Sequence, residues 1–500
     1  MSNHTDPPRQ RLTVLLERAH SGEAAAHQDL QRYETLIVGH LHDAVQAGRA
    51  RIEAGSASPS PRVAAEIANL ARAFHGETGT LTPAVEDAIA RLTSGAPILL
   101  FAHQPNAFPY DGVTAQYHLM NTLQAELACS EETPVAIHLL VDTDDAREPY
   151  FRTSRIPAPN LSSGAQTTPV APAFRKVSMF AAEAPKEERL RWIVNRSIQN
   201  YRQLQVLARS MGINRETDLD VQEVTALCLD AITGTPSTSK YNARLISTLA
   251  NIIWGYDTLF IPYSELLPYF ADSISALLDD EPMIRSDYNR YANETGSLPP
   301  PLPPHGMFWL ICSNCQRRYP PLSVQDAKPA CPDCGVRGPD PRASIKNLVE
   351  DKCLTPRVLI DDILFTIELP AVLAISYIGS ADHIAAAGAL NARYLTSQPH
   401  LLWRPRPVRF SLAELTAIRR LGKGDNPPSL RCLQLSLTGR GSLLYSLLDS
   451  AANSTRESWA RHWARNPSFS GICISTKPTY ISADESLFTR LVGAAANVER

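Results

Sequence analysis

Two short apolar runs, separated by the length of a helix, limit the fold of this chain more than any other feature. Pro97-Ile-Leu-Leu-Phe-Ala102 is continuously apolar between a proline and a polar cluster, as expected of a strand buried on both faces. Val135-Ala-Ile-His-Leu-Leu-Val-Asp142 repeats the pattern and ends in acids. Residues from about Gly112 to Ala128 read as a helix between them, and a strand, crossover helix and second strand in one sheet run parallel. Thr258 to Pro262 and Ala371 to Ile378 read as further strands, the latter central. The class expected is α/β, built on a doubly wound parallel sheet.

Around that seed the chain divides by pattern. Residues 1–94 read as an N-terminal helical layer, since Leu12, Leu15 and Leu16, then Ile37, Leu41 and Ala44, recur at helical spacing. The first part of the sheet core spans 95–300, with a loop over 156–176 and a helical insertion over 178–250. A zinc ribbon spans 306–340, entered through the stiff Pro299-Pro-Pro-Leu-Pro-Pro304 connector. Residues 341–415 return to the core, and 416–500 form a mixed C-terminal region. The 39 prolines against 24 glycines fit many rigid connections.

Charge and leader signals narrow the partners. Lys and Arg total 48 against 51 acids, a net charge of -3, so duplex DNA is disfavoured as a partner. Met1 to Arg9 has no apolar leader. The most apolar stretch, Val358 to Ile378, is broken by Asp361, Asp362, Glu368 and Pro370, too polar to cross a bilayer. A cytoplasmic protein with no membrane partner is expected. Nine cysteines, five of them scattered, fit a reducing compartment.

The remaining four are not scattered. Cys312-Ser-Asn-Cys315, fifteen residues, then Cys331-Pro-Asp-Cys334 is the spacing of two facing zinc knuckles. Four thiolates complete a tetrahedron and leave no place for water, so the zinc expected there is structural.

Three constellations carry candidate chemistry, each following an expected strand. His103, Gln104, Asn106 and Tyr110 lie between the first strand and its helix, where backbone N–H groups and the helix dipole favour anions. Asp142, Asp144 and Asp145 follow the second strand, with Arg152 and Arg155 beyond them; carboxylates there can orient or deprotonate an amine, and the arginines suit carboxylate or phosphate. Gly379, Ser380, Asp382 and His383 follow the late strand, with Arg404 and Arg406 further on. The bland readings are a capping loop, a solvated acidic turn and a charged surface strand.

These landmarks in this order resemble the bacillithiol biosynthesis cysteine-adding enzyme family (BshC). The resemblance runs over residues 80–415 and is clearest in Leu354-Thr-Pro-Arg-Val-Leu-Ile-Asp-Asp-Ile-Leu, Tyr377-Ile-Gly-Ser-Ala-Asp-His-Ile384 and the run ending at Leu415. His103-Gln-Pro-Asn106, with Pro109 and Gly112, is also similar to the opening of the WbqC-like family. Both resemblances imply a Rossmann-like, nucleotidyltransferase-type core. Both also imply attachment of an amino acid, cysteine in the first family, to a small amine or amino-sugar-like acceptor in a thiol or specialised-metabolite pathway, with ATP and Mg as the activating pair. On that reading His103, Asp142, Asp144 and Asp145 are catalytic, and the remaining constellation residues bind substrate. Two alternatives stay open. One is an aminoacyl transferase fed by charged tRNA, which Arg317, Arg318, Lys328 and Arg337 on the ribbon would suit; the other is a non-catalytic binding or scaffold protein that docks through the ribbon.

Overall fold

The structure, a computed structural model, describes residues 37–38, 41–55, 57–106, 111–128, 133–157, 165–170, 176–196, 199, 226, 229–231, 235–295, 306–319, 330–338, 345–377 and 400–403. Its strands are β1 (Ile37–Val38), β2 (Ile98–His103), β3 (Val135–Leu140), β4 (Thr153–Pro157), β5 (Ala165–Pro169), β6 (Leu259–Pro262), β7 (Phe308–Ile311), β8 (Arg318–Tyr319), β9 (Leu354–Pro356), β10 (Leu373–Tyr377) and β11 (His400–Trp403). The helices that matter for the site are α1 (Leu41–Glu53), α2 (Pro61–Thr78), α3 (Pro83–Thr93), α4 (Asp111–Leu127), α5 (Thr238–Ser247), α6 (Tyr263–Leu266), α7 (Ala271–Asp279) and α8 (Val358–Glu368).

Six strands form one all-parallel sheet in the order β1-β11-β10-β2-β3-β6. The chain moves outward from β2 through β3 to β6, then crosses back to β10 and proceeds outward the other way to β11. The order therefore reverses between β2 and β10. Successive residues of a strand point to opposite faces, and the two cores follow that alternation. Leu99, Phe101, Leu373 and Ile375 join a core with Tyr117, Met120 and Leu123 of α4 and Ala44 of α1. Ile98, Leu100, Ile137 and Ala374 join the opposite core with Ile67 of α2, Ile89 of α3, Ile274 of α7 and Ile360 of α8.

Local signals explain the element ends. Ser60 and Thr82 cap α2 and α3 by accepting from the Val63 and Val85 backbone N–H groups, with Pro61 and Pro83 in the first turn. Gly79 ends α2 at φ 69°, in the left-handed region that glycine enters without steric cost.

The outer edge of β6 is closed from the side by α2. The Phe260 N–H donates to His75 Nε2 at 3.1 Å, so Nδ1 carries the ring proton toward Thr80 Oγ1 at 2.7 Å. Burial lowers the His75 pKa to about 3, below its ordinary 6.5. A histidine held neutral contributes stability that is complete above about pH 6.5 and is lost as the pH falls toward 3. His75→Ala is expected to cost about 1–3 kcal/mol at pH 7.5 by orphaning the Phe260 donor. Denaturant titration should show that deficit shrinking below pH 6.5.

Two expectations need correction. Residues 156–176 are not simply a loop: β5 pairs antiparallel with β4, Ile156 facing Gln166. The runs Thr-Ser-Arg and Gln-Thr-Thr have no apolar period, and β-branched threonines suit paired strands. The N-terminal segment is not purely helical or one layer either. It adds β1 beside β11, while α1 packs on one face of the sheet and α3 on the other. The 416–500 region lies outside the described residues.

Candidate functional site

In open α/β sheets ligands collect outside the carboxyl ends of the strands, at the point where strand order reverses. Here β2 ends at His103 and β10 at Tyr377, flanking that point. The segment after β2 folds tightly, the Asn106 N–H donating to Gln104 O at 2.9 Å. His103 Nδ1 lies 2.9 Å from Gln104 O, so Nδ1 donates and Nε2 is left as the acceptor of the ring. Burial lowers the His103 pKa, with the Gln104 carbonyl opposing it, which favours the neutral ring. Asn106 is buried, and its Oδ1 has no hydrogen-bond partner among the described residues. Its loop is held from α5, where Asn242 Nδ2 donates to Pro105 O at 2.8 Å.

The loop after β3 meets this segment. Gln104 Nε2 donates to Asp144 Oδ2. Asp144 Oδ1 accepts from the Asp145 N–H at 2.7 Å and from Arg318 Nη1 at 2.8 Å. Asp145 turns outward to Arg147, with Nη2 2.7 Å from Oδ2. Burial pushes the Asp145 carboxyl up, but hydrogen bonds and charge from Arg147, together with Arg318, outweigh it and hold the pKa below the usual range. Asp142 faces the other way and is buried. Both of its oxygens accept from Ser264 at the start of α6, Oδ1 from the N–H at 2.8 Å and Oδ2 from Oγ at 2.7 Å. Burial raises its pKa to about 6 against those two bonds.

The four cysteines come together. Their Sγ atoms all lie within 4.8 Å of one another, with Cys312 to Cys334 at 3.5 Å and Cys315 to Cys331 at 3.6 Å. Zinc–sulfur bonds of about 2.3 Å set tetrahedral edges of about 3.8 Å, so the group has the size to hold a metal ion such as zinc. The two knuckles match bond for bond. Gln316 and Gly335 donate to Cys312 O and Cys331 O, both at 2.9 Å, and Cys312 and Cys331 donate to Arg317 O and Val336 O. Both turns need a residue at positive φ, Gln316 at 58° and Gly335 at 70°. Repeated geometry of this kind is hard to reconcile with unrelated thiols.

This ribbon is joined to the strand ends rather than hanging free. Cys312 directly follows β7, which pairs with β8 on one side and β9 on the other. Arg318 on β8 donates its N–H to Lys176 O at 2.8 Å and its guanidinium to Asp144. A metal bound by the knuckles therefore fixes the strand that carries the Asp144 partner.

Below Arg318 lies a buried acid. Tyr263 donates from its hydroxyl to Asp361 Oδ1 at 2.7 Å, and burial raises the Asp361 pKa to about 7. A carboxyl whose folded pKa is raised contributes stability that is complete below about pH 4 and is lost as the pH climbs toward 7. Asp361→Asn is expected to gain on the parent across that window, by at most about 1.4 kcal/mol per pH unit. Urea midpoints measured at pH 4.5, 6 and 7.5 would show it.

Of the residues singled out from sequence, His103, Gln104 and Asn106 share one turn, and Gln104 touches Asp144. Asp142 and Asp145 lie three positions apart in sequence but point to separate partners, Ser264 and Arg147. Arg152 Nε donates to Arg147 O at 3.3 Å, and Arg155 lies on β4, paired with Thr167. Tyr110, Gly379, Ser380, Asp382, His383, Arg404 and Arg406 lie outside the described residues. Arg318, Ser264 and Asn242 were not expected at this site. Arg318 was noticed only as part of a basic ribbon, and 174 residues separate it from Asp144. Among the described residues no helix is long and apolar enough to cross a membrane. No protein-family model matches the chain, and no curated protein matches it.

Proposed function

We propose that this chain is an amide-bond-forming ligase with a Rossmann-like core, joining an amino acid to a small amine or amino-sugar-like acceptor outside the carboxyl ends of β2, β3 and β10. One observation carries the reading: at the reversal of strand order, His103, Gln104 and Asn106 meet the Asp144 carboxylate through the Gln104 side chain. The order β6-β3-β2-β10-β11 supports it, since a doubly wound nucleotide-binding sheet places its first five strands 3-2-1-4-5.

Roles follow from the hydrogen bonds. Neutral His103, with Nδ1 turned to Gln104 O, offers Nε2 to take the proton that the amine loses on attacking the carboxyl carbon. Asp144 orients that amine. Gln104 and Asn106 hold the carboxyl oxygens, and the Asn106 Oδ1, lacking a partner among the described residues, suits a substrate N–H. Asp142 braces α6 through Ser264 instead of touching substrate. Arg152, Arg155, Arg404 and Arg406, with the segment carrying Gly379, Ser380, Asp382 and His383, remain candidates for the anionic parts. ATP with Mg would supply activation of the carboxyl group, and as the C–N bond forms the C–O bond to the activating phosphate or adenylate would break, that group leaving as phosphate or AMP. Structural zinc would occupy the four cysteines.

A cytoplasmic setting suits the cysteines, which are free thiols among the described residues. The tRNA-dependent alternative draws less support, because Arg317 is paired with Asp333 and Arg318 with Asp144. The deciding experiment incubates the zinc-loaded chain with ATP, Mg, pooled amino acids and pooled amines, and reads new amide masses. A product that needs all four ingredients supports the ligase. Ligand binding with no product in any pool would leave the binding protein as the better reading.

A further inference from the structure

One face of the small antiparallel sheet carries cations that the proposed reaction does not use. Trp309 faces Thr355 across the β7–β9 ladder, and Ile311 faces Arg318 across β7–β8. With alternation along each strand, Trp309, Arg318, Thr355 and Arg357 share that face. Three cations surround the Trp309 indole: Arg318 Cζ lies 4.6 Å, Arg357 Cζ 4.8 Å and Lys176 Nζ 5.0 Å from the ring centroid. Arg318 pairs with the Asp144 carboxylate. Among the described residues neither Lys176 nor Arg357 reaches a carboxylate within ion-pair distance; Arg357 Nη1 donates to the Gly306 carbonyl at 3.4 Å.

Like charges gathered in this way repel one another. Burial and the nearby arginines lower the Lys176 pKa against the opposing pull of Asp145, and burial and Arg318 lower that of Arg357 against Tyr288 and Glu281. Polar atoms on the same face are also unfilled. Among the described residues the buried Arg318 Nε and Thr355 Oγ1 have no hydrogen-bond partner, and the Arg318 side chain is only 8% exposed. Two hydrogen-bond donors without acceptors, beside three clustered cations, fit a small oxyanion.

We propose that Lys176, Arg318, Thr355 and Arg357, arranged around Trp309, form a subsite for one carboxylate or phosphate group of a ligand. The subsite adjoins Asp144 and so deepens the ligase reading by locating where an anionic part of its substrate sits. It does not depend on turnover. Phosphate would point to a phosphorylated ligand, and carboxylate to an amino acid.

The test is calorimetric titration of the zinc-loaded full chain with inorganic phosphate and, separately, with acetate at constant chloride. Saturable binding of at least one is expected, the tighter anion identifying the source. Arg357→Gln and Lys176→Gln should each weaken it by about tenfold, a charge-assisted hydrogen bond's share. Arg191→Gln, on an exposed helix position paired with Glu187, should leave it unchanged. Lys176→Gln removes no buried hydrogen bond and keeps the test open if Arg357→Gln does not fold. Saturation by neither anion, or binding of parental strength in the folded variants, overturns the subsite. Failure to find an amide product with anion binding intact counts against the ligase alone.

Discussion

Purified chain is expected to contain close to one equivalent of zinc, and its removal is expected to unfold the ribbon and release Arg318 from Asp144. The four Sγ atoms lie at the mutual distances that a tetrahedral ion needs. The knuckle turns are short, and β8 is two residues long. Structural zinc sites have apparent binding free energies on the order of 10–16 kcal/mol at neutral pH, comparable with the whole stability of a domain. Cys331→Ser should therefore lose the metal and melt this region at far lower temperature than the sheet. Hydrogen exchange should show 306–319 and 330–338 opening first, with β2 and β3 still protected. Less than half an equivalent of metal, with exchange unchanged by chelation, would contradict the assignment.

The second large effect is on turnover. Removing a positioned general base costs about 10²–10⁴ in rate, so His103→Ala should lower product formation by that factor with little loss of stability, since the ring sits at the end of β2 and is only partly buried. Asp144→Ala would mix two effects, because it also leaves the guanidinium of the buried Arg318 side chain without its carboxylate acceptor. Asp144→Asn keeps an oxygen for Arg318 and is the cleaner variant. It should retain the parental melting temperature within a few degrees and lose most of the rate. Ser264→Ala offers a contrast: it removes one of the two bonds to Asp142 and should cost about 1–2 kcal/mol of stability without a comparable loss of rate.

Much of the parallel sheet was legible because its strands are buried on both faces and so carry continuous apolar runs. Pro97 to Ala102 became β2, Val135 to Leu140 became β3, and Ala371 to Ile378 contains β10. The cysteine spacing was legible for a different reason: tetrahedral coordination dictates short loops, and short loops are visible in a sequence. What was not legible depends on pairing over long separations. Leu354-Thr-Pro356 joins β7 rather than the main sheet, and nothing in three residues announces that partner. The β4–β5 hairpin is polar on both strands and has no apolar period to read. The same holds at the site. The carboxylates of the β3 loop could be picked out from their clustering, but which one meets Gln104 depends on Ser264 taking Asp142 and Arg318 taking Asp144, partners 122 and 174 residues away.

The central claim is that a small ligand binds where β2, β3 and β10 end, held by His103 and Asp144. Thermal unfolding of the zinc-loaded chain against amino acids, nucleotides and amino-sugars, with and without magnesium, tests it most directly. Ligand at about 100 times its dissociation constant stabilises by about 2.7 kcal/mol. The account predicts such an upward shift for at least one ligand class in the parent, abolished in both His103→Ala and Asp144→Asn. A shift that survives both substitutions, or no shift from any class, would contradict it.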